Sequence, residues 1–195
     1  KNSFQKKLRK RLIFQNADFI VINKLNGYSV QRGSKVNVSL KDYYESILDT
    51  KLYIVHRLDK DTSGIMIFAK NRMAASSISK LFMTNEIHKY YLATTHKKFI
   101  KSSGILENNN ENKLLKLFYR KINSLDGSNY AYLIKLLTGR KHQIRLQFYL
   151  NDNPIVGDRK FSNDKKIAFS LRSVAIHFYY LNNFYKFKLN LNQID

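Results

Sequence analysis

Asp59 and Asp61 lie two residues apart in HRLDKDTSG, residues 56–64, alongside His56, Arg57 and Lys60. A carboxylate among cations stays ionised and can act as a nucleophile or general base. A segment that ends in Gly64 between two apolar stretches is a common place for a fold to display such groups. The same composition equally fits a solvated turn whose charges pair with one another. A second cluster, GRKHQIR at 139–145, sets Arg140, Lys141, His142, Gln143 and Arg145 beside an expected helix start. Backbone N–H groups at such a start favour anions, so a phosphate contact and a plain basic turn both fit. PIVGD at 154–158 reads as structural, with Pro154 and Gly157 setting a turn.

Other chemistries find less support. The chain has no Cys, and its five His, at 56, 88, 96, 142 and 177, form no close pattern with carboxylates of the kind a zinc or iron centre needs. No metal and no organic cofactor is expected. Asp59 and Asp61 are too isolated for a paired-carboxylate glycosidase, because nothing positions a separate acid.

Strands and short helices must hold these clusters. LIFQNADFIVINK at 12–24 reads as two strands broken at Asn16 to Asp18, and residues 39–49 as a helix with Ser39 as its N-cap. IMIFAK at 65–70 suits a buried strand, RMAASSISKLFM a helix, and EIHKYYLATTHKKF a strand. Residues 101–113 are rich in Ser, Asn and Glu and read as a loop. Strands are expected at 114–122 and 130–137 around the turn signal Asp126-Gly127, a helix just after Gly139, and strands near 166–171, 173–179 and 184–191. The order is not a regular βα alternation, so the expected class is α+β, a mixed, largely antiparallel sheet with flanking helices. Residues 1–11 form a basic lead-in without assigned structure, and 12–195 one domain.

Charge narrows the partner. Lys and Arg number 35 against 14 Asp and Glu, a formal charge of +21, which no short tail can hold. Such a surface attracts polyanions, above all nucleic-acid backbones. No apolar run is long enough for a membrane span, and no long basic amphipathic helix is evident. The lack of Cys points to a reducing compartment, and KNSFQKKLRKRL lacks the apolar core of a secretory signal, so a cytoplasmic monomer is expected.

VHRLDKDTSGIMIFAKN, TGRKHQIRLQF and NPIVGDRKF, in this order and spacing, resemble the signature segments of the large-subunit ribosomal pseudouridine synthases. NADFIVINKLNGYSVQRGS resembles that family's first strands and glycine turn, so the resemblance spans residues 12 to 180, nearest the synthase C subgroup. It implies a pseudouridine synthase catalytic fold with a central active-site cleft and isomerisation of uridine in RNA. The expected substrate is large-subunit ribosomal RNA, with transfer RNA or a noncatalytic RNA-binding role in ribosome assembly as alternatives.

By the same resemblance Asp59 matches the catalytic aspartate that attacks or assists at C1′ of the uridine, and Arg145 the basic residue paired with it. Tyr91, in KYYLA, matches the tyrosine that stacks on the target base; a phenol with pKa of about 10 needs help to act as a base at neutral pH. Arg57 matches an arginine that fills the space left by a flipped nucleotide, and His56, Arg140, Lys141, His142 and Gln143 are assigned to RNA contact. The pattern departs at Leu25, where Pro is common, and at Gln147 and Arg172, where His is usual. If those His contact RNA, substrate choice differs here.

Overall fold

The computed structural model describes residues 2–33, 37–122, 129–162 and 168–190. Along the chain the elements are α1 (Asn2–Arg9), β1 (Leu12–Gln15), β2 (Phe19–Lys24), α2 (Leu40–Leu48), β3 (Tyr53–Ile54), β4 (Ser63–Ala69) and α3 (Arg72–Met83). There follow β5 (His88–Thr95), β6 (Ser103–Asn110), β7 (Lys113–Ile122), β8 (Tyr130–Leu136), α4 (Gln143–Leu150), β9 (Leu171–Tyr180) and β10 (Asn183–Lys188). They group into two units, one up to Ile87 and again from Phe178 onward, the other from His88 to His177. No helix among the described residues is long and apolar enough to cross a membrane.

In the first unit β2 and β4 pair antiparallel from Phe19 opposite Ala69 to Lys24 opposite Gly64. Both are continuous apolar runs because both are buried, from Phe19 to Ile22 and from Ile65 to Ala69. Asn16 makes the turn from β1 into β2, its Oδ1 accepting the N–H groups of Asp18 (3.0 Å) and Phe19 (2.8 Å). Helix α2 starts at the expected cap, where Ser39 and Asp42 form a reciprocal capping box. Asn71 caps α3, accepting from Ala74 N at 2.8 Å while its Nδ2 donates to Asp18. Strand β10 returns to β1 and β2 through a ring cluster of Phe14, Phe19, Phe178, Tyr185 and Phe187.

The basic lead-in is a helix, which the sequence reading left without structure. Its cations face outward, while Leu8 is buried, Phe4 packs on Tyr28 and Tyr43, and the Tyr44 hydroxyl donates to Leu8 O at 3.0 Å. Leu8 and Phe4, too few to show a period, are what anchor it.

The second unit is an antiparallel sheet in the order β6-β7-β8-β5-β9. Helix α4 lies on one face: Phe148 meets the rings of Phe99 and Tyr132, and Gln147 Nε2 donates to Leu106 O and Leu115 O. Residues 103–110, expected as loop, are strand β6, paired with β7 from Ser103 opposite Arg120 to Asn110 opposite Lys113. Pairing across the hairpin overrides the weak propensity of SGILENNN. The turn is made by Glu111 and Asn112, both at positive φ (49° and 58°), as two-residue hairpins require. The turn signal at Asp126-Gly127 lies outside the described residues. Residues 168–170, expected as strand, have no regular structure, and β9 begins at Leu171; 163–167 lie outside the described residues.

Candidate active site

Asp59 sits on the segment that leaves β3 and enters β4. The turn closes through Thr62 N donating to Asp59 O at 3.1 Å, and Asp59 is half-buried beside the exposed Arg57. The support beneath the turn comes from NKLNG. Lys24 is 1% exposed, and its ammonium donates to Lys60 O (2.8 Å), Thr62 O (2.8 Å) and Leu25 O (3.1 Å). Gly27 N adds a bond to Lys60 O at 3.0 Å, with Gly27 at φ 83°, a conformation that glycine adopts without strain. Burial pulls the Lys24 ammonium down to about 7 against the opposing charges of Asp61 and Asp59. Three carbonyls accepting all of its N–H groups favour the charged form.

Lys24 is therefore a brace for the Asp59 turn, one that the sequence reading passed over as part of a glycine turn. The available signal was a lysine two residues beyond the apolar run FIVI, at the end of the strand FIVINK. Lys24→Met, similar in length but without donors, takes the ammonium from Leu25 O and the enclosed Thr62 O and leaves Lys60 O only its bond from Gly27 N. A loss of about 1–3 kcal/mol is expected, read as a lowered denaturation midpoint. An unchanged midpoint would remove the brace from the account.

His56 has a similar supporting place. Its Nε2 accepts Ile67 N–H at 2.9 Å, and its ring stacks on Phe82 with centroids 4.1 Å apart. An accepting Nε2 carries no proton, so the imidazole is neutral in this arrangement.

The second unit holds the other candidates. Tyr91 is 7% exposed on β5, on the sheet face that α4 covers. Arg145 on α4 engages Asp158 through two parallel bonds, Nε to Oδ2 and Nη2 to Oδ1, each 2.8 Å. Its guanidinium carbon lies 5.5 Å from the Phe161 ring centroid and 5.0 Å from that of Phe169. Asp158, 1% exposed, also accepts from Lys160 N (2.9 Å) and Phe161 N (3.1 Å). Burial pushes the Asp158 carboxyl upward, but the bonds from Arg145 and the two backbone N–H groups, with the Arg145 charge, hold it below the usual carboxylate range.

PIVGD thus does more than turn the chain: Gly157, at φ 74°, delivers Asp158 to Arg145. The sequence reading missed this ion partner because Asp158 and Arg145 are separated by 13 positions and a loop.

The GRKHQIR cluster divides into exposed and enclosed parts. Arg140 and Lys141 are exposed, and His142 Nδ1 lies 2.9 Å from Lys160 Nζ. Helix α4 starts at Gln143, three residues later than the spacing suggested, with His142 at φ 55° as its cap. The reason is Gln143 itself, 2% exposed. Its Oε1 accepts from Arg140 N and Thr138 Oγ1, each at 2.9 Å, and its Nε2 donates to Lys116 O and Gln147 Oε1. These bonds fold 138–142 into a turn, so Gln143 shapes the loop from inside while Arg140 and Lys141 present outward. Gln147, at a customary His position, is wholly buried and bolts α4 to β6 and β7. Lys89, two residues before Tyr91, is buried, with its ammonium pushed down by burial, and stands where a Cβ on Gly139 would come within 3.1 Å of Nζ.

Comparison with known proteins fits this arrangement. The pattern described as RNA pseudouridylate synthase matches residues 18–149, which include Asp59, Tyr91 and Arg145. The chain is 35% identical to ribosomal large subunit pseudouridine synthase C of Rickettsia bellii over 82% of its own length and 59% of that protein's. It is 33% identical to an uncharacterized RNA pseudouridine synthase of Haemophilus influenzae, covering 89% of this chain and 84% of that one. It thus spans about three-fifths of the Rickettsia bellii relative. Human RNA Pseudouridylate Synthase Domain Containing 4 shares the fold, with a TM-score of 0.81, 21% identity, and coverage of 98% of this chain and 92% of that one. A match over residues 18–149 places this chain in the RNA pseudouridylate synthase family.

Proposed function

We propose that this chain converts specific uridines to pseudouridine in large-subunit ribosomal RNA, with Asp59 as the nucleophile. The observation that carries the reading is the braced Asp59 turn, a half-buried aspartate on a turn whose Lys60 and Thr62 carbonyls accept from a buried ammonium. A binding surface for RNA has no need of such a carboxylate, which repels phosphate. The likeness to ribosomal large subunit pseudouridine synthase C of Rickettsia bellii supports the ribosomal substrate.

In this reading residues 12–195 act as one catalytic domain, and the chain works as a cytoplasmic monomer without cofactor. The Asp59 carboxylate adds to C1′ of the uridine, and the N1–C1′ bond breaks with its electron pair going to the uracil. The ring turns over, C5 bonds to C1′ and displaces the carboxylate, the hydrogen on C5 leaves as a proton, and N1 gains one. Tyr91 stacks on the base, Arg145 supplies the cation that offsets the nucleophile's charge, and Arg57 fills the place of the extruded nucleotide. Arg140 and Lys141 contact phosphates, while His56, His142 and Gln143 shape the loops that carry these contacts.

Mapping pseudouridine in RNA from cells with and without the protein tests this. Sites lost from large-subunit ribosomal RNA are expected, sites lost only from transfer RNA redirect the substrate, and an unchanged map leaves a binding role. A second expectation concerns salt. Neutralising several phosphates releases counterions, so RNA affinity falls by about tenfold or more between roughly 50 and 200 mM salt. Titration by fluorescence anisotropy measures it, and a flat salt profile contradicts an electrostatic interface.

A further inference from the structure

The two faces of the second unit's sheet are built differently. One carries Tyr91, Leu117, Tyr119, Tyr132 and Ile134, all buried, with α4 across it. Alternation along each strand sends the intervening residues to the opposite face, and α4, the one described helix of this unit, does not cover it.

There the register sets Ile105, Phe118, Lys135 and Tyr90 side by side across β6, β7, β8 and β5, with Ser103, Arg120 and Leu133 in the next row. Phe118 is 38% exposed and Ile105 56%. The Lys135 ammonium lies 5.9 Å from the Tyr90 ring centroid, and the Tyr90 ring stands 5.3 Å from that of His177 on β9. Glu107, the acid on this side of β6, is paired with Lys116 at 2.8 Å. Burial, then the charges of Lys135 and Lys89, hold the His88 imidazole below its ordinary range, which fits a positive local potential.

Flat rings interleaved with cations on an antiparallel sheet face, exposed at Ile105, Phe118 and Arg120 and half-buried at Lys135 and Tyr90, suit one class of polyanion. Bases stack on rings whatever their identity, and phosphates meet the cations between them. Phe118 and Tyr90 sit two strands apart, roughly 10 Å, with Lys135 between them. An acidic peptide uses the cations but has no planar groups for the rings. The chemistry assigned to Asp59, Tyr91 and Arg145 makes no use of this face.

We propose that this face is a second RNA-contact surface, on which Tyr90 and Phe118 stack bases of a single-stranded stretch and Lys135 and Arg120 hold its phosphates. The proposal rests on the RNA part of the functional reading and not on the isomerisation. It gives the second unit's sheet a use on both faces: Tyr91 on one meets the target base, while Tyr90 and Phe118 on the other hold a single-stranded stretch.

The test uses the full chain and a labelled twelve-nucleotide oligouridylate at low salt. Tyr90→Ser with Phe118→Ser, and separately Lys135→Glu with Arg120→Glu, are compared with wild type for affinity and for thermal midpoint. Weakening of at least about fivefold is expected for the ring pair, and a comparable or larger loss for the charge reversal. Since a ring variant that unfolds also loses binding, a photo-crosslinking arm with 4-thiouridine in the same oligonucleotide is run on the unaltered protein. Crosslinks at Tyr90 or Phe118 are expected. Unchanged affinity in folded variants overturns the proposal, as do crosslinks confined to residues of the Tyr91 face. A protein that crosslinks at these rings yet isomerises no uridine sinks the catalytic reading and leaves this surface standing.

Discussion

Asp59→Asn should reduce uridine isomerisation by about 10³-fold or more while RNA affinity stays the same or rises. The substitution keeps the shape of the side chain and removes the charge proposed to attack C1′. The turn is held through Thr62 N, Gly27 N and the Lys24 ammonium bonding to main-chain oxygens, none of which the substitution alters. Losing a negative charge next to phosphates can only ease binding. Single-turnover release of tritium from RNA labelled at uridine C5 measures the first quantity, and filter binding the second. Turnover within tenfold of wild type rejects Asp59 as nucleophile, and a collapse of affinity alone reassigns it to binding.

The second large effect belongs to Asp158. Replacing it with Ala leaves the Arg145 guanidinium enclosed without the carboxylate that takes two of its bonds at 2.8 Å. Removing one member of a buried ion pair costs about 3–5 kcal/mol, a large part of a domain's stability, so Asp158→Ala should unfold at markedly lower denaturant. Arg145→Met combined with Asp158→Leu removes both charges and should recover most of that loss. The doubly substituted protein should still be inactive, because Arg145 is assigned a part in turnover as well as in folding. A double variant that is stable and active would confine Arg145 to architecture.

Acid should reproduce part of this effect. The Asp158 carboxyl titrates lower in the folded protein than its ordinary value, about 3.9 when unfolded. Its stabilisation is therefore complete above about pH 4 and is lost as pH falls through the depressed folded value. Thermal midpoints measured from neutral pH downward should decline more steeply for wild type than for the double variant.

Local patterns made much of the fold legible. The Ser39 cap, the Asn16 turn and the apolar runs of β2 and β4 each express a short-range rule, and each element stands where its residues indicate. The ordered motifs likewise pointed to the family that the match over residues 18–149 shows. What escaped was set by contacts distant in sequence. SGILENNN is a strand because β7 pairs with it, α1 is ordered because Leu8 and Phe4 find α2 and its surroundings, and the start of α4 is delayed by the buried Gln143 amide. Lys24 and Asp158 were overlooked for a related reason. Each looks like ordinary surface charge until burial and a partner many residues away give it a role.

The Lys24 brace has a kinetic meaning. Because three carbonyls of the NKLNG and HRLDKDTSG segments converge on one ammonium, the backbone carrying Asp59 is, on the proposed mechanism, already ordered when RNA arrives. Little reorganisation then remains for the chemical step, and binding energy from the rest of the RNA can go toward extruding the uridine rather than arranging the enzyme.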